Sequence, residues 1–182
     1  IKLGLSNSAS DNLQSFVYQV AELSNRVSVV SEYLPRNNSF TVSKIDEKPR
    51  ITFAGIPTGH EFTSFVMSLL QVSGRKPKIS DSLIERIKSL DIKKEFTTYV
   101  SLTCHNCPEV VQALNIMAVL NPGITHTMVD GYVYKEEVQE LNIMAVPAVY
   151  SDGTFFESGK TTIEEILKKL GSIQKVNTGK KI

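Results

Sequence analysis

The 182-residue chain carries 20 lysine and arginine residues against 19 aspartate and glutamate residues, and 41% of its residues are hydrophobic. A formal net charge of +1 argues against nucleic acid or an anionic membrane surface as a partner. No apolar run reaches the ~20 residues needed to span a bilayer, and no signal peptide is recognisable. The composition therefore predicts a cytoplasmic globular protein with one large core or two small ones.

The first half of the chain predicts the element order strand, helix, strand, strand, strand, helix. Apolar residues recur at helical spacing between Leu13 and Leu23 and again between Phe62 and Leu70. The predicted strands cover residues 2–5, 26–33, 39–45 and 50–53. The last two strands are predicted to form a hairpin.

Capping patterns predict two of the helix starts. Asp11 with Gln14 three residues later would cap the first helix. Ser82 with Glu85 would cap a short helix between the two halves of the chain. We predict residues 75–94 as a linking segment that contains this short helix.

The second half repeats the element order of the first, with one additional helix before its hairpin. The predicted elements are a strand over 96–100, a helix over 109–120, a strand over 125–129, a helix over 135–141, hairpin strands over 148–150 and 154–156, and a last helix ending at Leu170. Such a repeat predicts an α/β protein built from two copies of one unit, residues 1–74 and 95–171. Both cysteines lie in the second copy.

Residues 172–182 are polar and show no periodic pattern. This composition is typical of a linker to a further domain. A frayed chain terminus would have the same composition, so both interpretations remain open.

Cys104 and Cys107 form a CxxC motif between a predicted strand and a predicted helix. Two intervening residues allow the first helical turn to bring both sulfurs within disulfide reach. Free N–H groups and the positive end of the helix dipole would stabilise a thiolate at Cys104, and a protonated His105 would favour it further. We predict Cys104 as the nucleophile that attacks a disulfide and Cys107 as the resolving thiol.

Two other interpretations of the cysteines are weaker. A purely structural disulfide would close too short a loop to restrain much of the unfolded chain. A structural zinc site at Cys104, His105 and Cys107 would need a fourth ligand, and no second ligand pair is visible, so no metal is predicted. An adaptor domain whose cysteines hold a soft metal ion remains the alternative from another functional class.

A strand, a CxxC at a helix start and Val146-Pro147 directly before a hairpin strand together resemble the thioredoxin fold. The resemblance implies that Pro147 is a cis proline beside the disulfide. Residues 53–62, 101–115 and 142–149 are similar to the N-terminal domain of the flavoprotein component of bacterial alkyl hydroperoxide reductase. This resemblance covers essentially the whole chain and implies two tandem thioredoxin-like folds, the first without cysteines.

The family resemblance also implies a function. It implies a disulfide oxidoreductase domain that receives electrons from a C-terminal module binding FAD and NADH, reached through a linker at 172–182, and passes them to a peroxiredoxin. No cofactor is expected within these residues, and the full-length protein is expected to be a homodimer. His105, Val146 and Pro147 are expected to contact the partner. The alternative is a free-standing glutaredoxin-like or protein disulfide oxidoreductase with broad substrates.

A base for the resolving thiol has to be found elsewhere in this chain. Thioredoxin has a buried carboxylate six residues before its first cysteine, whereas this chain has Thr98 there. We predict Glu61 as the replacement, because it begins the last helix of the first repeat, which would pack beneath the CxxC. Alternatively, Glu61 only complements its own helix N-terminus. His60 and His126 have no predicted partners and are interpreted as surface or core residues.

Overall fold

The computed structural model describes the backbone of residues 1–178 and the side chains of residues 1–172. It contains eight strands and six α-helices in this part of the chain. In chain order they are β1 (Lys2–Ser6), α1 (Asp11–Glu22), β2 (Ser28–Glu32), β3 (Ser39–Ser43), β4 (Ile51–Ala54), α2 (Phe62–Val72), α3 (Asp81–Lys88), β5 (Lys94–Val100), α4 (Cys107–Leu120), β6 (Ile124–Asp130), α5 (Lys135–Glu140), β7 (Ala148–Ser151), β8 (Thr154–Ser158) and α6 (Ile163–Thr178). A single 3-10 turn, Gly59–Glu61, precedes α2.

All eight strands form one mixed sheet in the order β2-β1-β3-β4-β6-β5-β7-β8. In the first repeat, β1 pairs parallel with β2 and antiparallel with β3, which pairs antiparallel with β4. The second repeat has the same arrangement, with β5 to β8 in the places of β1 to β4. The predicted architecture of two tandem thioredoxin-like folds is therefore confirmed, as is the additional helix α5.

Parallel pairing of β4 with β6 joins the two repeats into a continuous sheet. Since β5 also runs parallel to β6, the carboxyl ends of these three strands meet at one edge of the sheet. The loops that follow Ala54, Val100 and Asp130 therefore lie close together. Residues far apart in the sequence meet at this edge.

The helices divide unequally between the two faces of the sheet. One large core joins the buried side chains of α1, α2, α3, α4 and α6 to one face, including Leu13, Phe65, Leu83, Leu114 and Ile166. A smaller cluster lies around Tyr99 and Tyr150, with Tyr134 and Val138 of the α5 segment packed against it. Helix α2 of the first repeat packs directly against α4 of the second. This contact places the start of α2 beside the start of α4.

A partly buried ion pair connects the two repeats near the smaller cluster. Arg36, from the first repeat, donates from Nε and Nη2 to the carboxylate of Glu137 on α5, at 3.0 and 2.8 Å. The hydroxyl of Tyr99 donates to the same carboxylate at 2.7 Å. Because the guanidinium contacts the carboxylate in a bidentate manner, the pair fixes the relative position of the repeats as well as joining them.

The helix caps differ from the predicted ones. Ser10 caps α1 and Ser80 caps α3, each accepting a hydrogen bond from the backbone N–H three residues later. Both serines have extended backbone conformations, which a capping residue requires, whereas Asp11 is already helical. The predicted caps at Asp11 and Ser82 were therefore wrong.

Helix α6 continues to Thr178, beyond the end predicted at Leu170. Residues 179–182 lie outside the described part of the chain. The linker over 172–182 and the domain boundaries at 74, 95 and 171 therefore stay predictions. Among the helices that the structure describes, none combines the length and the apolar character needed to cross a bilayer.

Candidate redox site

Cys104 and Cys107 form a disulfide at the start of α4, with their Cα atoms 5.5 Å apart. Cys107 is the first residue of the helix and is completely buried, whereas Cys104 lies in the preceding loop and is partly exposed. Pro108 occupies the first helical turn, where its missing N–H leaves no intrahelical bond unmade. A visiting molecule can therefore reach the sulfur of Cys104 but not that of Cys107.

The backbone before β7 lies beside the exposed sulfur. The Val146-Pro147 peptide bond is cis, as the family resemblance implied. The carbonyl oxygen of Val146 is 3.8 Å from Sγ of Cys104. Pro147 is buried, while Val146 remains partly exposed at the end of the loop. An extended segment of a partner that approached Cys104 would meet the backbone of this loop.

The 3-10 turn of the first repeat packs against the loop that carries Cys104. The backbone N–H of His60 donates to the carbonyl oxygen of Leu102 at 3.0 Å. The ring of His60 lies 4.3 Å from the ring of His105, centroid to centroid. The cysteine-free repeat thus forms part of the surface around the disulfide.

Gly59 makes this close approach possible. Its φ is +56°, and a Cβ at this position would lie 2.5 Å from the carbonyl oxygen of Leu102. We expect Gly59→Ala to push the turn away from the CxxC loop and to destabilise the protein by about 1–3 kcal/mol. Chemical denaturation measures this loss. The matched control is Gly171→Ala, where a Cβ would meet nothing within 4 Å, and an equal loss in both variants would contradict the assignment.

Glu61, the last residue of the 3-10 turn, is the most unusual charged group of the site. Its side chain is completely buried, and neither carboxylate oxygen has a hydrogen-bond partner among the described residues. Burial raises the pKa of Glu61 to about 7, and the nearby hydroxyl of Ser64 acts in the opposite direction without forming a hydrogen bond of good geometry. The turn packs against α4, whose first residue is Cys107. A carboxyl group that titrates near neutral pH therefore lies next to the helix that carries the buried sulfur.

Neutral groups occupy the position where thioredoxin has its carboxylate. Thr98 Oγ1 is 2.8 Å from Nε2 of His126, and Nδ1 of His126 is 2.7 Å from Oδ1 of Asn115. Burial lowers the pKa of His126 to about 3, so this imidazole is uncharged at neutral pH. Glu61 is consequently better suited than this cluster to exchange a proton near pH 7.

Large apolar side chains are exposed at the same edge of the sheet. Met144 precedes Val146 by two residues and is 94% exposed, and Tyr132 follows β6 and is 76% exposed. Phe62, next to Glu61, is half exposed. Exposed apolar groups near a reactive sulfur are typical of a surface that binds another protein.

The structure brings the predicted site residues together at one edge of the sheet. Sequence reasoning missed His60, which was interpreted as lacking partners but packs on His105. Its position directly before Glu61 was the available signal. Within the described residues, no group of three or more histidine, cysteine, aspartate and glutamate side chains is arranged to hold a metal ion.

Comparisons with known proteins agree with this geometry. A family model described as a thioredoxin domain matches residues 94–172. A Bacillus subtilis protein named NADH dehydrogenase is 54% identical over 163 residues, which cover 90% of this chain and 32% of that protein. The alkyl hydroperoxide reductase AhpF of Staphylococcus epidermidis is 52% identical over 169 residues, which cover 93% of this chain and 33% of that protein. The chain thus spans about a third of the length of these curated relatives.

A solved structure extends the agreement to both repeats. The N-terminal domain of the alkyl hydroperoxide reductase AhpF of Enterococcus faecalis matches with a TM-score of 0.83 and 30% identity, covering 93% of this chain and 88% of that one. Since nearly all of both chains superpose, the similarity includes the cysteine-free repeat as well as the CxxC repeat. The chain belongs to the family of tandem thioredoxin-fold domains found at the N-terminus of the alkyl hydroperoxide reductase AhpF.

Proposed function

We propose that this chain is a dithiol-disulfide electron relay that reduces the disulfide of a peroxiredoxin with electrons from a flavin- and NADH-dependent reductase module. The observation that carries the proposal is the exposed Cys104 sulfur joined to the buried Cys107 sulfur at a helix start, beside Val146-Pro147. Family membership supports the peroxide-reducing context. The identities of the partner and of the electron donor belong to the proposal.

The first step is attack by the reduced form on the partner. The N-terminus of α4 stabilises the thiolate of Cys104, which attacks one sulfur of the partner's disulfide. A bond forms between Cys104 Sγ and that sulfur, and the partner's other sulfur leaves as a thiolate that takes up a proton. The backbone of Val146 is placed to hold the partner's chain in an extended conformation during this step.

The second step releases the partner and needs a base inside the protein. Cys107 is completely buried, so its thiol must lose its proton before it can attack Cys104 Sγ. We assign this proton to the carboxylate of Glu61, whose pKa of about 7 suits both accepting and returning a proton. The products are the Cys104-Cys107 disulfide and the partner's second thiol, so two electrons have moved to the partner.

Regeneration of the dithiol completes the cycle. In our proposal a second dithiol, on the reductase module, attacks the Cys104-Cys107 disulfide and returns two electrons. FAD and NADH would be bound by that module, in the part of the full-length relatives that this chain does not span. We propose that the full-length protein is a homodimer, as the family resemblance implies. His105 and His60, exposed beside Cys104, would contact the incoming module or the peroxiredoxin.

Substrate selectivity distinguishes this function from that of a broad disulfide oxidoreductase. We expect the reduced chain to transfer electrons to an oxidised bacterial peroxiredoxin at least about tenfold faster than to insulin, because apolar contacts around Met144 favour one partner surface. Stopped-flow measurements with each substrate provide the comparison. Equal rates with both substrates would favour the broad enzyme instead.

A further inference from the structure

A cleft of about 390 Å³ lies at the opposite end of the molecule from the disulfide. It is formed by the turn between β3 and β4, the carboxyl-terminal ends of α2 and α4, and the side of α3. Its apolar walls include Val42, Ile51, Val72, Pro77, Ile84 and Leu120. The volume lies within the range of small-molecule sites and is too small for a folded partner.

Basic side chains surround this cleft. Its lining contains the six cationic residues Lys44, Lys48, Arg50, Arg75, Lys76 and Lys88, against the single carboxylate of Glu47. Within the described residues, Lys48 and Arg75 form no ion pair, while the other four each contact a carboxylate at 2.5–3.5 Å. A chain with a net charge of only +1 thus concentrates positive charge at one concave site, and such a site attracts anions.

One of the cations is held in place by the backbone. Nε of Arg50 donates to the carbonyl oxygen of Ala118 at 2.8 Å, and Nη2 donates to that of Val119 at 3.4 Å. These bonds satisfy free carbonyl groups at the end of α4. They also fix the guanidinium at the cleft, so an anion would meet a positioned charge there.

Two polar side chains at the cleft lack protein partners. The side chain of Gln71 is among the lining residues, is 5% exposed, and makes no hydrogen bond with any residue the structure describes. The hydroxyl of Ser43, also in the lining, is buried and has no partner in the same part of the chain. Burying a polar group without a partner is unfavourable, and a bound ligand with hydrogen-bonding oxygens would remove that cost.

We propose that this cleft binds a small organic phosphate, with the phosphate among Lys48, Arg50 and Arg75 and an apolar or planar ring body against the walls. The amide of Gln71 would donate to the ligand. Arginine and lysine bind phosphate well, and the apolar walls distinguish an ester with an apolar body from inorganic phosphate.

This site is separate from the redox site. Helix α4 begins at Cys107 and ends at Leu120 beside the cleft, so its 14 residues place the two sites about 20 Å apart. Ligand binding can therefore be measured on the oxidised protein without any thiol exchange. The outcome does not depend on the identity of the redox partner.

Isothermal titration calorimetry with 1-naphthyl phosphate tests the proposal, with inorganic phosphate and 1-naphthol as the two halves of the probe. We expect saturable binding of the ester, at least about tenfold tighter than either half. Arg75→Gln and Gln71→Leu should each weaken binding by about tenfold, because each removes a hydrogen bond to the ligand. Arg26→Gln, an exposed arginine outside the cleft, is the matched control and should bind as the unmodified protein does.

Amide chemical shifts and thermal melting complete the test. Shifts upon binding should concentrate at Gly74 and Lys76 and spare Cys104, and each variant should melt cooperatively. If Gln71→Leu fails to fold, Lys48→Gln replaces it, since Lys48 is exposed at the rim. Absence of saturable binding up to about 10 mM ester would overturn the proposal. Equal affinity for inorganic phosphate, or unchanged affinity in the cleft variants, would overturn it as well.

Discussion

Cys107→Ser should accumulate a covalent complex with the peroxiredoxin through Cys104. Cys104 is exposed and can attack the partner, whereas the buried residue 107 would no longer carry the thiol that resolves the mixed disulfide. The complex should form in near-stoichiometric yield and disappear upon addition of a strong reductant. Non-reducing electrophoresis with mass spectrometry of the linked peptides identifies the sulfur involved.

Cys104→Ser is the matched control for the trapping experiment. It retains a cysteine that the partner cannot reach, so we expect no complex and a loss of electron transfer by at least about a thousandfold. The order of attack proposed here would be wrong if Cys104→Ser formed the complex and Cys107→Ser did not.

Glu61→Gln should slow thiol exchange while making the folded protein more stable above neutral pH. The carboxylate of Glu61 is assigned to accept the proton of Cys107, and loss of such a base typically lowers a rate by about a hundredfold. In the unmodified protein the resolving step should accelerate as pH rises through about 7, where Glu61 ionises. In the variant this pH dependence should vanish. Single-turnover rates between pH 5.5 and 8.5 measure both effects.

The effect on stability follows from the raised pKa of Glu61. Between its usual value of 4.5 and about 7, the folded protein binds a proton that the unfolded chain has released, so the free energy of unfolding falls as pH rises through this window. Above pH 7 the ionised, buried carboxylate costs about 3 kcal/mol relative to its protonated form. Glutamine has no such cost, so the gain in stability should be large at pH 8 and small at pH 4.

Glu109→Gln is a suitable control for Glu61→Gln. Glu109 lies in the first turn of α4 but is exposed and paired with Lys160 at 2.9 Å. We expect little change in stability or in the pH dependence of exchange, since exposed ion pairs contribute little. If Glu109→Gln reproduced the Glu61→Gln pH profile, the general electrostatic field of the helix start would be responsible and not one buried base.

Local sequence patterns were sufficient to predict most of the strands and helices. Alternation and helical periodicity depend on which side chains face the core, and that information is present within each segment. The recurrence of one element order predicted the tandem arrangement, and the spacing of Cys104 and Cys107 predicted a disulfide at a helix start. Helix caps were less predictable, because several polar residues near each helix start could cap it and only the backbone conformation selects Ser10 and Ser80.

By itself, the sequence determined the chemistry available to this protein, namely one dithiol next to a helix N-terminus. Only the tertiary structure decided which groups surround it. Packing of α2 on α4 buries Glu61 beside the CxxC helix, and the turn at Gly59 brings His60 onto His105. The basic cleft likewise arises where four separate segments meet. The physical reason is that desolvation and pairing depend on long-range contacts, which no single stretch of sequence contains.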